Sequence, residues 1–174
     1  MKSNIFFALL FLVFVILGAC GQTLKYPLSE KDISLSDINV YIAGTKINFV
    51  TDTIDKFNML LGNPIRSQFI GENPWGKQML DSYNGITIKY FKESGELLDV
   101  DISRRDISII GNIRVGDSKK NILEKLTGRG TADEERYLFV RIADDKSYGT
   151  GYFFTFDKEE ILTNIEVSKF PFGP

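Results

Sequence analysis

The chain changes polarity character twice along its length. Ile5 to Leu17 (IFFALLFLVFVIL) is thirteen residues without a polar side chain, and residues 22 to about 35 (QTLKYPLSEKDISL) are polar with one proline. Beyond them the apolar positions become periodic. Ile54, Phe57, Leu60 and Leu61 recur at helical spacing, as do Ile122, Leu123 and Leu126. Thr51 to Thr53 offer caps for the first stripe and Asp117 or Ser118 for the second, while Gly62-Asn63-Pro64 and Gly128 supply stops. This predicts two helices of about three turns, which need a sheet to bury against because isolated helices of that length are marginal in water. Period-two alternation follows each helix. Ile86, Ile88 and Tyr90 run out to a turn at Lys92 to Glu96 around Ser94-Gly95, and Leu98, Val100 and Ile102 return. Tyr152, Phe154 and Phe156 run out to a turn at Asp157 to Glu160, and Ile165 and Val167 return. Tyr137 to Ile142 reads as one more strand, with a counterpart near Arg66 to Ile70 or Lys77 to Tyr83, and Ile38 to Ile42 reads as a lead strand.

A shift of 66 residues brings the two periodic stretches into register. Ile47-Asn48-Phe49-Val50 falls on Ile113-Arg114-Val115-Gly116, Phe57, Leu60 and Gly62 on Leu123, Leu126 and Gly128, and Gly85 on Gly151. After one residue is dropped, Leu97, Val100, Ile102 and Ser103 fall on Leu162, Ile165, Val167 and Ser168. The expected fold class is α+β: a tandem duplicated unit of a helix plus antiparallel strands, with the helices packed on one face of an antiparallel sheet. The expected organisation is residues 1–19 as a signal peptide, 20–36 as a modified cysteine and tether, 37–104 as the first repeat and 105–170 as the second.

The opening apolar run is shorter than the ~20 residues a membrane-spanning helix needs and has the length of a secretory core segment. Leu17-Gly18-Ala19-Cys20 resembles the lipobox of bacterial lipoproteins: an aliphatic residue three before the cysteine, then two small ones. The resemblance implies cleavage between Ala19 and Cys20, a diacylglycerol on the Cys20 thiol and acylation of the new amine. Each buried methylene contributes ~0.8 kcal/mol, so two or three acyl chains anchor stably where one does not. The implied product is exported and tethered to a membrane, the outer one if the host has two, because Gly21 stands where an Asp would signal inner-membrane retention. Those acyl groups are the expected modification, and no other cofactor is expected.

Leu60-Leu61-Gly62-Asn63-Pro64, then Phe69, Gly71, Asn73 and Trp75, then an alternating strand and the Ser94-Gly95 turn, resemble the small BamE-like (SmpA/OmlA) outer-membrane assembly lipoproteins. Two such units in tandem resemble the β-lactamase-inhibitor-protein-like fold. The first resemblance implies a role in outer-membrane assembly or maintenance, and the second implies inhibition of a secreted or periplasmic enzyme. The second unit lacks the Pro and the Trp of the pattern.

Composition narrows the chemistry. Of 174 residues none is His and one is Cys, which removes Ser-His-Asp and Cys-His nucleophiles, His-ligated metals and any intramolecular disulfide. A net charge of −2 gives no electrostatic basis for nucleic-acid binding. Asp99 and Asp101 share one face of their strand, and Glu166 takes the place of Asp101 in the second unit, which leaves a carboxylate-based hydrolase as a remote alternative. Asp99, Asp101 and Asp106 lack the Gly and Glu of a calcium-binding loop. Asp133-Glu134-Glu135 read as loop charges.

If helices cover the face holding Ile86, Ile88, Val100, Leu138, Val140, Phe154 and Ile165, the other face carries Phe91, Tyr137, Phe139 and Phe153 among Lys89, Asp99, Asp101, Arg141 and Glu166. Aromatics interleaved with charges are the composition of a protein–protein interface. The expected binding residues are therefore Phe91, Tyr137, Phe139, Arg141 and Phe153, with Trp75 at the edge. The sequence reads as a non-enzymatic, lipid-anchored protein-binding module, with enzyme inhibition as the alternative. Replacing Cys20 by Ala should abolish lipid labelling and membrane recovery; a variant that still fractionates with membranes would remove lipidation as the anchor.

Overall fold

The computed structural model describes residues 38–126, 131–134, 136–142 and 148–171. Two β-strands open the chain, β1 (Asn39–Ile42) and β2 (Thr45–Asn48), followed by helix α1 (Ile54–Leu61). Four strands come next: β3 (Arg66–Asn73), β4 (Gly76–Tyr83), β5 (Ile86–Phe91) and β6 (Leu97–Ile102). The second half repeats this order. It has β7 (Ile107–Ile109) and β8 (Ile113–Arg114) with a single 3-10 turn between them, helix α2 (Lys119–Lys125), then β9 (Thr131–Glu134), β10 (Tyr137–Ile142), β11 (Tyr148–Phe156) and β12 (Leu162–Pro171).

The strands form two antiparallel sheets. One has four strands in the order β2-β1-β7-β8, and the other has eight in the order β3-β4-β5-β6-β12-β11-β10-β9. Each sheet is closed across the middle by a pair from opposite halves. In the large sheet β6 pairs with β12, with Asp101 opposite Glu166, Val100 opposite Val167 and Ile102 opposite Ile165. In the small sheet β1 pairs with β7, with Tyr41 opposite Ser108.

This overturns the expectation of helices packed on one face of a single sheet. The described helices are two short ones, of eight and seven residues, and they share the covering of the large sheet with a second sheet. The physical reason lies in residues 38–50 and 107–115. Asn39–Ile42 (NVYI) and Ile107–Ile109 (ISI) are rich in β-branched residues that pack well on a pleated surface. A two-residue turn at Ala43 and Gly44, both at positive φ, folds β1 back on β2. α1 stops where Gly62 takes up φ 78° and donates its N–H to the Asn58 carbonyl at 2.9 Å. Its N-cap residue Thr53 makes no side-chain cap bond, whereas Ser118 accepts from the Asn121 N–H at 3.3 Å at the start of α2. Both Arg66–Asn73 and Gly76–Tyr83 are strands, and Thr131–Glu134 is a strand instead of a charged loop.

The core lies between the layers as one cluster. The small sheet contributes Ile38, Val40, Ile42, Ile47, Ile107, Ile109 and Ile113, the helices Ile54, Phe57, Ile122 and Leu126, and the large sheet Ile86, Ile88, Val100, Ile102, Leu138, Val140, Tyr152, Phe154, Ile165 and Val167. The Asn39 N–H donates to the Tyr152 hydroxyl at 3.1 Å, a polar tie between the two sheets. A register shift between Lys89 and Tyr90 brings Leu97 opposite Tyr90, so Leu97 is fully buried in place of Leu98. Phe57→Ala, which empties a fully buried aromatic site, should cost about 3–5 kcal/mol in thermal or chemical unfolding, whereas Met59→Ala two residues on, at 81% exposure, should stay within about 0.5 kcal/mol.

Candidate functional site: the outward face of the large sheet

Strand alternation divides the large sheet into a core face and an outward face. The outward positions can be read across the strands from the registers. Thr87, Asp101, Glu166, Phe153 and Phe139 form one row, and Lys89, Asp99, Ser168 and Gly151 the next. The middle of this face, where the two halves join, is a strip of carboxylates. Lys89 Nζ lies 3.5 Å from Asp99 Oδ2, and the Ser168 hydroxyl donates to Asp99 Oδ1. Asn164 Nδ2 donates to Asp101 Oδ1 at 2.9 Å. Glu166 stands opposite Asp101 and between Asp101 and Phe153. Partial burial raises its carboxyl above the ordinary range, the neighbouring Asp101 and Asp99 push it further, and Lys89 opposes them. Thr87, Asp101, Ser103 and Asn164 line a cleft of about 380 Å³ at one end of the strip, beside Tyr83, Gly85 and Ile86.

Asp99 and Asp101 have structural partners here. They hold β5 to β6 and β6 to β12, and like charges directly across a strand pair are unfavourable unless cations or donors offset them. Among the described residues no group of His, Cys, Asp or Glu is arranged to hold a metal ion.

The aromatics flank this strip. Phe153 is partly buried beside Glu166, and Tyr137, opposite Thr155, is 54% exposed on the next strand. Phe91 is partly buried on β5, on the other side of the acidic strip. Phe139 and Arg141 take register positions opposite Phe153 and Gly151, and their side chains lie outside the described residues. Cys20 and Ala19 also lie outside them. Trp75 is apart from the face. It stands 64% exposed in the turn that joins β3 and β4.

Two features escape the sequence reading. The first is a set of exposed apolar residues at β3, the edge strand of the large sheet: Ile65 just before the strand and Phe69 and Ile70 within it, with Met59 of α1 nearby in sequence. The adjacency of Phe69 and Ile70, which breaks strict alternation, is the signal that could have shown it. The second is a polar group on the core side beneath α1. Asp81 is 3% exposed, and its Oδ2 accepts from the Tyr90 hydroxyl at 3.2 Å. Its Oδ1 has no hydrogen-bond partner among the described residues. The Tyr83 hydroxyl donates to Asn58 Oδ1 at 2.6 Å, and burial, with Asp81 nearby, pushes its pKa up. The sign of this feature was an Asp at an inward parity position, two residues from Tyr83.

No protein-family model matches this chain, and no curated protein matches it. A solved structure, an extracellular protein containing an SCP domain from Bacillus anthracis str. Ames, is similar with a TM-score of 0.45 and 6% identity. The similarity covers 70% of this chain and 44% of that one, so this chain spans less than half of that protein's length.

Glu166 makes stability depend on pH. Its folded-state pKa lies above the ordinary value of 4.5, so between the two values the folded chain holds more proton than the unfolded one. Its contribution to stability is therefore most favourable at low pH and declines as pH rises through the folded value. Glu166→Gln should raise the melting temperature at pH 7 relative to the parent and by less near pH 4; a difference independent of pH, in melts across that range, would contradict this electrostatic account.

Proposed function

We propose that this chain is an exported, lipid-anchored envelope lipoprotein whose folded domain is a non-enzymatic protein-binding module. The observation that supports this reading is the composition of the outward sheet face. Phe91 on one side and Phe153 and Tyr137 on the other flank a polar strip of Lys89, Asp99, Asp101 and Glu166. Partly exposed aromatics supply large contact area at low conformational cost, and the charges between them supply register and discrimination. A sheet is also a stiff platform: β6 and β12 are central strands, and their core sides are fully buried at Val100, Ile102, Ile165 and Val167. The Cys20 acyl chains fix location, and an envelope assembly or maintenance role follows from the BamE-like pattern of residues 60–102.

The test is affinity purification of the lipidated full chain from its own membranes in mild detergent, with mass spectrometry of what accompanies it. A specific protein should be recovered with the parent and lost with Phe91→Ala and Tyr137→Ala. Truncating an aromatic at the centre of an interface costs about 2 kcal/mol or more, so each variant should bind roughly thirtyfold more weakly. Their melting temperatures should stay near that of the parent, because neither side chain belongs to the buried cluster. Retention of the partner by both variants would move the binding surface elsewhere.

A further inference from the structure

The β3–β4 hairpin carries three exposed apolar side chains, while Met59 and Ile65, exposed as well, lie toward its opposite end. Trp75 is 64% exposed in the β3–β4 turn, and Phe69 and Ile70 of the adjoining edge strand are 58% and 39% exposed. The turn is built to hold Trp75 outward. The Asn73 side chain accepts from the Trp75 N–H at 3.0 Å, and Pro74 fixes the backbone between them. The start of β4 is tied down by the neighbouring β5–β6 turn: the Lys77 N–H donates to Glu93 Oε2 at 3.1 Å, and the Lys92 N–H to the Lys77 carbonyl at 2.8 Å.

The chain enters the domain at this same end. The Phe49 N–H donates to the Ile38 carbonyl at 2.9 Å, and Lys169 Nζ stands 5.5 Å over the Phe49 ring. Lys169 pairs with Glu96 at 2.8 Å, and Glu96 closes the turn whose Lys92 and Glu93 hold Lys77. A continuous series of contacts therefore links Ile38 to the base of the Trp75 hairpin. Seventeen residues separate Ile38 from Cys20. At full extension they span at most roughly 60 Å, so an anchor on Cys20 leaves this end of the domain within reach of the bilayer.

We propose that the Trp75 end of the β3–β4 hairpin docks into the interfacial layer of the membrane that carries the anchor, with Phe69 and Ile70 following it into contact with lipid. The proposal rests on the lipid-anchor reading of Cys20 for its geometry. Trp suits this position because its ring is apolar with one polar edge, the property that concentrates it at headgroup depth. The tip carries exposed Lys77 and Lys92 against exposed Glu72 and Glu93. Two cations offset two anions, so attachment is apolar in origin and does not depend on anionic lipid. Docking leaves the outward sheet face turned to the side, accessible to a protein partner.

Trp75 is the only tryptophan in the chain, which makes it its own reporter. The full-length protein is reconstituted in phosphatidylcholine vesicles, with lipid on Cys20 checked by mass spectrometry and vesicle association by flotation. Trp75 emission should shift to the blue relative to detergent-free Cys20→Ala protein. It should be quenched severalfold more by brominated acyl chains than by aqueous iodide, and it should change little when anionic phosphatidylglycerol is added. Phe69→Ser with Ile70→Ser should cut the brominated-lipid quenching severalfold without lowering the melting temperature, since both residues are exposed. Lipidated, vesicle-bound protein whose Trp75 is quenched by iodide and not by brominated lipid overturns the docking while the anchor stands, and leaves these side chains to a protein partner. A chain without lipid on Cys20 removes the anchor reading separately. In that case a blue shift on adding vesicles still supports docking, and a flat response overturns it.

Discussion

The pairing of β6 with β12 is the contact on which the rest of the domain depends. It joins two halves of the chain whose paired residues lie about 65 positions apart, and it does two jobs with alternate residues. Val100, Ile102, Ile165 and Val167 point inward and are fully buried at the centre of the core. Asp99, Asp101 and Glu166 point outward and form the middle of the candidate binding face, and Ser168, on the same side but itself buried, donates to Asp99. The apolar side favours the pairing and the acidic side opposes it. Lys89, Asn164 and the Ser168 hydroxyl offset that opposition by pairing with Asp99 and Asp101. Glu166 has less support and remains the strained member, which is why its carboxyl is displaced toward the protonated form.

The same arrangement explains where the molecule is left uncovered. The second sheet and the two helices cover the core face over the centre of the large sheet. α1 is eight residues long and ends at Gly62, so its cover gives out before the β3 edge. Along one row of the sheet, Tyr90 on β5 and Met79 on β4 are partly buried and Phe69 on β3 is exposed. β3 also carries a register shift between Phe69 and Gly71. Such a bulge twists an edge strand away from further pairing, the usual protection against edge-to-edge association. An edge protected against strand addition and still carrying Phe69, Ile70 and Trp75 is suited to a surface that needs no backbone hydrogen bonds from it.

Under the proposed reading the two surfaces divide the work by orientation. The hairpin tip lies at the end where the described chain enters the domain, the end from which the segment leading back to Cys20 departs. The aromatic and acidic face runs along the sheet between the two halves. A module held by lipid and steadied by Trp75 would present that face in a fixed attitude to proteins in or near the membrane, which reduces the orientational cost of association.

Much of this was legible in the residues. Period-two alternation decides parity, and parity places Ile86, Ile88, Val100, Leu138, Val140, Phe154 and Ile165 on the core side, where the structure has them. It also puts Asp99, Asp101 and Glu166 together on the opposite face. The glycine stop after α1, the Ser118 cap and the Ser94-Gly95 turn are local chemistry and can be read locally. The fold class could not be read in the same way. Short apolar strands such as Ile107–Ile109 and Ile113–Arg114 carry too few residues to show a period, and the Ala43-Gly44 turn lacks the Asn-Gly signal of a tight hairpin. Whether such pieces add to one sheet or build a second depends on pairing between halves, which no local pattern encodes. Alternation is a local property of a strand, so it places most core-facing side chains from the residues alone, and it fails at Leu97 and Leu98, where a register shift changes the parity. Long-range packing sets which strands meet, that Asp101 stands opposite Glu166, that Asp81 is buried with one oxygen unpaired among the described residues, and that Trp75 lies at the end where the chain enters. These are long-range contacts, and they are selected by the shared burial of the whole core.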